Sequence, residues 1–128
     1  MYKTILLFFI ASSLFAQDTT TTYWSNSCLK SKSIRIDSTQ AHWTYWYSNG
    51  KKWSEGTLKN DKKTGTWQVW YDNGNKWSVT HLESGHDTLW YDDGTIKEHG
   101  NSINGQKQGE WLYFHPNGQL KEKVSFNQ

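Results

Sequence analysis

Trp43-Thr44-Tyr45-Trp46-Tyr47-Ser48-Asn49-Gly50 is the stretch on which the fold turns. Five aromatic and β-branched residues run into Ser-Asn-Gly, and a second polar–apolar run follows. That composition predicts a strand, a tight turn and a returning strand. The pattern recurs as Trp70-Tyr71-Asp72-Asn73-Gly74, Trp90-Tyr91-Asp92-Asp93-Gly94 and Phe114-His115-Pro116-Asn117-Gly118. The turn glycines Gly50, Gly74, Gly94 and Gly118 are spaced 24, 20 and 24 residues apart. A fixed period of this length marks a repeat architecture. The expected fold is all-β: tandem antiparallel β-hairpin repeats in an elongated single-sheet meander, after an N-terminal signal peptide.

Pro116 selects the turn type. A two-residue Asn-Gly turn would use the N–H of residue 116 in the ladder, and proline has none. A three-residue loop avoids the conflict: a type I turn closed by a glycine of positive φ. Each of the four glycines is then left-handed, and Asn49, Asn73, Asp93 and Asn117 are not. In that register residue 47 faces 51, 46 faces 52 and 45 faces 53. Alternation puts Trp43, Tyr45 and Tyr47 on one face, and Trp46, Trp70, Trp90 and Phe114 in a column on the other. Ile96 and Leu120 fall opposite Trp90 and Phe114, where the first two repeats hold Lys52 and Lys76.

The repeats differ in length between the hairpins. Residues 59–65 read as a long polar loop and 83–85 as a tight one, which assigns the four-residue difference to a loop. Tyr23-Trp24-Ser25-Asn26-Ser27 echoes the motif, with Ser27 in the glycine place. It reads as a degenerate or capping copy behind a disordered polar lead-in, Thr19 to Thr22.

The N-terminus has its own character. Met1-Tyr2-Lys3 precedes an apolar run to Phe15, then Ala16 and polar Gln17-Asp18. This layout predicts a secretory signal peptide over residues 1–16 and an exported protein, periplasmic or secreted. The run is too short to span a bilayer, so no membrane span is expected after cleavage. The domain reading is 1–16 signal peptide, 17–40 lead-in and possible degenerate repeat, and 41–128 hairpin repeats. Formal charge is +2 for the whole chain, and cleavage leaves 13 basic and 12 acidic residues. Arg35 is the only arginine. Near neutrality and the scarcity of arginine argue against a nucleic-acid partner. Cys28, the single cysteine, cannot close an internal disulfide and lies too far past the apolar run to serve as a lipid anchor.

The residues Phe114-His115-Pro116-Asn117-Gly118-Gln119-Leu120-Lys121-Glu122 resemble the MORN-repeat variant of bacterial proteins. So do Trp90 to Glu98, and Asn104-Gly105-Gln106-Lys107-Gln108-Gly109-Glu110-Trp111 fits the family's continuation. The resemblance covers about residues 41–128. Repeats one and two depart from it with Lys52-Trp53 and Lys76-Trp77. It implies an elongated ladder of hairpins. Many such proteins carry a YwqK-type antitoxin label, which here is a hint of protein binding only.

No catalytic constellation stands out. His81, Glu83, His86 and Asp87 are close in sequence, but they surround a turn and lack the ligand pattern of a closed zinc site. Asp92-Asp93-Gly94 is explained by its hairpin turn, since a calcium loop needs a longer spacing of oxygen ligands. Glu55, Glu98, Glu110 and Glu122 read as outward, solvated positions. No catalytic residue, metal or cofactor is expected, and the chain reads as a binding module. The candidate face is Trp53, Trp77, Lys97 and Lys121, equivalent positions that pass from aromatic to basic along the ladder. A protein partner is the first reading, because Trp is enriched at interface hot spots. A cell-wall glycan stacked on exposed Trp is the second.

Overall fold

The computed structural model describes residues 18–127. They form one sheet of ten antiparallel strands, each paired with its neighbours in sequence. The strands are β1 (Thr19–Tyr23), β2 (Leu29–Arg35), β3 (Gln40–Trp46), β4 (Lys52–Lys59), β5 (Lys62–Trp70), β6 (Lys76–His81), β7 (Ser84–Trp90), β8 (Ile96–Ile103), β9 (Gln106–Phe114) and β10 (Leu120–Phe126). No helix occurs among the described residues. Residues 1–16, expected as a signal peptide, lie outside them.

The hairpin turns are those that Pro116 demands. Gly50, Gly74, Gly94 and Gly118 have φ of 83°, 97°, 91° and 81°, and the residue before each is not left-handed. The Gly50 N–H donates to the Tyr47 carbonyl at 3.0 Å, and the Tyr47 N–H to the Lys51 carbonyl at 2.9 Å. The same pair of bonds closes the other three turns. Each turn is pinned further by its Asn or Asp side chain, as where the Lys51 N–H donates to Asn49 Oδ1 at 2.9 Å.

Upstream, β1 and β2 form a fifth hairpin of the same design. Thr19 to Thr22, expected as a disordered lead-in, pair in register with residues 31–34. Ser27 takes φ of 64° in the glycine place.

One feature of the returning strands departs from the expected register. Trp46 faces Lys52, as expected, but Tyr45 faces Ser54 and not Trp53. Trp53 is the extra residue of a β-bulge. The same bulge holds Lys30, Trp77, Lys97 and Lys121 in the other hairpins. A bulge changes the parity of everything after it. Glu98 and Glu122 thereby face Tyr113, where Ser54 and Ser78 stand earlier. Glu98 is thus not an outward residue: its side chain is 15% exposed.

The connections between hairpins also differ from expectation. Asn60-Asp61 and Asn104-Gly105 are two-residue turns, left-handed at both positions, closing strands of 8 and 9 residues. The intervening pair, β6 and β7, has only 6 and 7. The missing four residues come out of the strands, not out of a loop. The Glu83 carboxylate fills part of the gap, accepting from the Gly65 N–H at 2.9 Å.

A single sheet has no second layer, so the core is built on one face. Register places Ser33, Trp43 and Gly56 in one transverse row, and Asp87, Gly100, Trp111 and Val124 further along it. Ser31, Tyr45, Ser54, Val69, Ser78, Leu89, Glu98, Tyr113 and Glu122 form the next row. In most hairpins the outgoing strand carries the large residue and the returning strand a small one, so large side chains lie over small neighbours. Trp67 and Trp111 are 3% and 2% exposed because their rings lie flat over glycine. A Cβ on Gly56 would meet Trp67 at 2.4 Å, and one on Gly100 would meet Trp111 at 2.5 Å.

Candidate functional site

The aromatic face is assembled by the turns and bulges together. At the turn end of each outgoing strand an aromatic side chain reaches the next hairpin. Trp24 Nε1 donates to the Trp46 carbonyl at 3.0 Å, Tyr47 Oη to that of Trp70 at 2.8 Å, Tyr71 to Trp90 at 2.9 Å and Tyr91 to Phe114 at 2.9 Å. These carbonyls lie at the bulge, where the ladder is interrupted, so the hydroxyls satisfy acceptors and stitch neighbouring hairpins. The asparagines add a second seam. Asn26, Asn49 and Asn73 side chains each donate to the next turn, at 2.9, 3.1 and 2.7 Å.

In the first four hairpins the bulge residue lies against an aromatic residue of its own hairpin. Lys30 Nζ is 4.7 Å from the Trp24 ring and Lys97 Nζ 5.7 Å from the Tyr91 ring. In two hairpins the bulge residue is Trp. Trp53 packs against Tyr45 and Tyr47 with centroids 5.9 and 6.1 Å apart, and Trp77 against Tyr71 at 5.7 Å. Each remains 43% exposed. The two indoles hold equivalent bulge positions on β4 and β6, which flank β5 in the sheet. Trp43 stacks on Tyr45 at 5.7 Å and 12°. Trp43, Tyr45, Trp53 and Tyr47 therefore form a continuous half-exposed strip. The edge runs Lys30, Trp53, Trp77, Lys97, Lys121.

Burial has a measurable consequence along this strip. It raises the Tyr45, Tyr47 and Tyr71 hydroxyls above the usual tyrosine range, with the Asp72 and Asp92 carboxylates adding to the effect at Tyr47 and Tyr71. All three stay protonated and able to donate at neutral pH.

The opposite face carries the Trp46, Trp70, Trp90 and Phe114 column. Lys52 and Lys76 lie over Trp70 at 5.0 and 5.8 Å, and Lys52 pairs with Glu55 at 2.7 Å. Ile96 and Leu120 face Trp90 and Phe114 as expected.

The third repeat holds a polar cluster that sequence spacing did not announce. Asp87 stands where the other hairpins have Trp43, Trp67 and Trp111. Its carboxylate accepts from the His81 N–H at 2.7 Å and from Ser102 Oγ at 2.6 Å, and lies 3.1 Å from His81 Nδ1. Ser, Asp and His are together, but Asp is the central member and Ser touches no imidazole. A nucleophilic triad needs His between them. This arrangement ties β6, β7 and β8 where the ladder is short. Glu83 reaches Gly65 instead of this cluster, and His86 turns to His99 and Asn101, both at 3.1 Å. Among the described residues no group of three or more His, Cys, Asp or Glu is placed to hold a metal.

Comparison with known families agrees with this internal geometry. The family described as MORN repeat variant matches residues 40–60, 63–82 and 107–128. These are the hairpins β3–β4, β5–β6 and β9–β10, so the two with Trp53 and Trp77 fit the family despite their departures. The hairpin of β7 and β8, with Asp87 in place of Trp, lies outside the matched residues. No curated protein and no solved structure matches the chain. The similarity to the MORN repeat variant thus covers three of the five hairpins, at residues 40–60, 63–82 and 107–128.

Proposed function

We propose that this is a non-catalytic, exported repeat protein that binds another protein through the strip around Trp53 and Trp77. The observation that carries the reading is the exchange at the bulge. The same backbone position takes Lys30, Lys97 and Lys121 elsewhere, so the fold does not need an indole there. Two large indoles are nevertheless held half-exposed against fixed tyrosines. Rigid aromatic side chains with a ready-made backing are the usual anchors of protein interfaces. The lysines beyond them supply a polar rim.

A cell-wall glycan is the second reading, favoured by the ring stacking that half-exposed Trp offers to sugars. Affinity capture from the exported fraction with the wild type and with W53K/W77K tests both. The protein reading expects a defined partner that the double variant loses. Capture of no partner, with tryptophan quenching by soluble oligosaccharide, would favour the glycan. Capture of a cognate toxin would give the antitoxin label its meaning.

A further inference from the structure

Trp43, Trp67 and Trp111 hold equivalent places, yet only two are covered. Four residues before Trp67 is Lys63, with Nζ 4.3 Å from the ring; four before Trp111 is Lys107, at 4.1 Å. Four before Trp43 is Thr39. The neighbouring strand also differs. Gly56 and Gly100 let the later rings lie flat, whereas Trp43 faces Ser33. Trp67 and Trp111 donate their indole N–H to the Thr57 and Asn101 carbonyls. The Trp43 N–H has no such partner among the described residues.

Trp43 instead lines an open groove of about 290 Å³, with Asp18, Arg35, Asp37, Thr39 and Asp61 among the other walls. Three acids stand against one base, and Arg35 is already paired with Asp18 at 3.4 Å. The Thr39 and Gln40 N–H groups donate to Asp37 Oδ1, favouring its ionised form. Asp61 has no ion pair among the described residues.

We propose that the Trp43 groove receives the ammonium group of a lysine on a partner protein, in the place that Lys63 and Lys107 fill for their own hairpins. The proposal rests on the protein-binding reading and names the chemistry of that partner. An indole face attracts cations through its ring quadrupole, and the chain itself twice places an ammonium over the equivalent ring. The acidic lining supplies the complementary charge. Through Tyr45 the groove continues into the Trp53 strip, so one partner segment can engage both.

The test uses the full chain with ¹⁵N-labelled tryptophan, reading the indole N–H resonances, with that of Trp43 assigned by W43F. The probes are an acetylated Gly-Lys-Gly amide, the same peptide with norleucine, and chitotetraose. The lysine peptide is expected to shift the Trp43 resonance saturably, and the norleucine peptide to bind ~5-fold more weakly or worse. Thr39→Lys restores the residue of the other hairpins and should abolish the response, whereas Thr39→Gln should keep it. An equal response to norleucine, an undiminished response in T39K, or a response to chitotetraose alone would overturn the proposal. If W53K/W77K loses a captured partner while the lysine peptide leaves Trp43 unmoved, the protein-binding reading survives and this assignment alone fails.

Discussion

Tyr47 donates its hydroxyl to the Trp70 carbonyl of the following hairpin at 2.8 Å, and this one contact repeats down the sheet. It joins neighbouring hairpins beside the strand pairing, the asparagine seam and the indole packing. Removing one such hydroxyl leaves a half-buried carbonyl unpaired. Tyr71→Phe should cost about 1 kcal/mol, the net worth of an ordinary hydrogen bond. A denaturant midpoint for Y71F equal to wild type would show that the seam contributes nothing.

The glycine-under-indole packing makes a sharper prediction. A Cβ at position 100 would sit 2.5 Å from the Trp111 ring, and the ring is held from above by Lys107 at 4.1 Å. Gly100→Ala should destabilise by about 1–3 kcal/mol through overpacking. Gly50→Ala meets nothing within 4 Å and should cost about 1–2 kcal/mol for its left-handed backbone alone. In a double-mutant cycle the Gly100→Ala cost should shrink in a W111L background, where the ring it meets is gone, whereas the Gly50→Ala cost should be the same in both backgrounds.

Ser27 is the converse. It adopts φ of 64° in the place where the other hairpins have glycine. Ser27→Gly should raise stability by about 1 kcal/mol, the left-handed penalty it removes. Thermal melting of the variant checks this. A lowered midpoint would mean that the Ser27 side chain makes a compensating contact.

High pH should weaken the fold. Tyr45, Tyr47 and Tyr71 titrate above the ordinary tyrosine value in the folded chain. Burial would lower the Lys107 ammonium, but hydrogen bonds with Tyr113 and Glu98, and their charges, raise it overall. For all four groups the folded state holds its proton more tightly than the unfolded chain. Their stability contribution is therefore complete below about pH 10 and declines as pH rises from there through the folded values. Denaturant midpoints should be flat from neutral pH to about 9 and fall beyond 10. A midpoint that rises over that interval would contradict the assigned protonation.

Turn, strand pairing and the aromatic columns were legible from the glycine spacing and from Pro116, because turn chemistry is local. The bulge was not, because nothing in the turn demands it. Its trace is the set of small residues Ser54, Gly56, Ser78 and Thr80, which fall one parity away from the faces that the turn sets. Gly56 and Gly100 acquire meaning only once Trp67 and Trp111 are brought over them from the next hairpin. The shortened third repeat was misplaced for a similar reason. Asn60-Asp61 and Asn104-Gly105 are tighter turns than their polar surroundings suggest, so the extra residues extend strands. The Asp87 cluster joins three strands and has no signature in linear spacing. Trp53, Trp77, Lys97 and Lys121 hold equivalent positions in the sheet, but their equivalence is that of a bulge, and Lys30 belongs to it too.

Trp53 and Trp77 are proposed to serve binding and not folding. Replacing both with lysine copies what the bulge already holds in three hairpins. The decisive measurement is the denaturant stability of W53K/W77K alongside its partner capture. The expected result is a change within about 0.5 kcal/mol per site, the range of exposed substitutions, together with loss of the captured protein. A loss approaching the ~3–5 kcal/mol of a truncated core aromatic, or full retention of the partner, would contradict it.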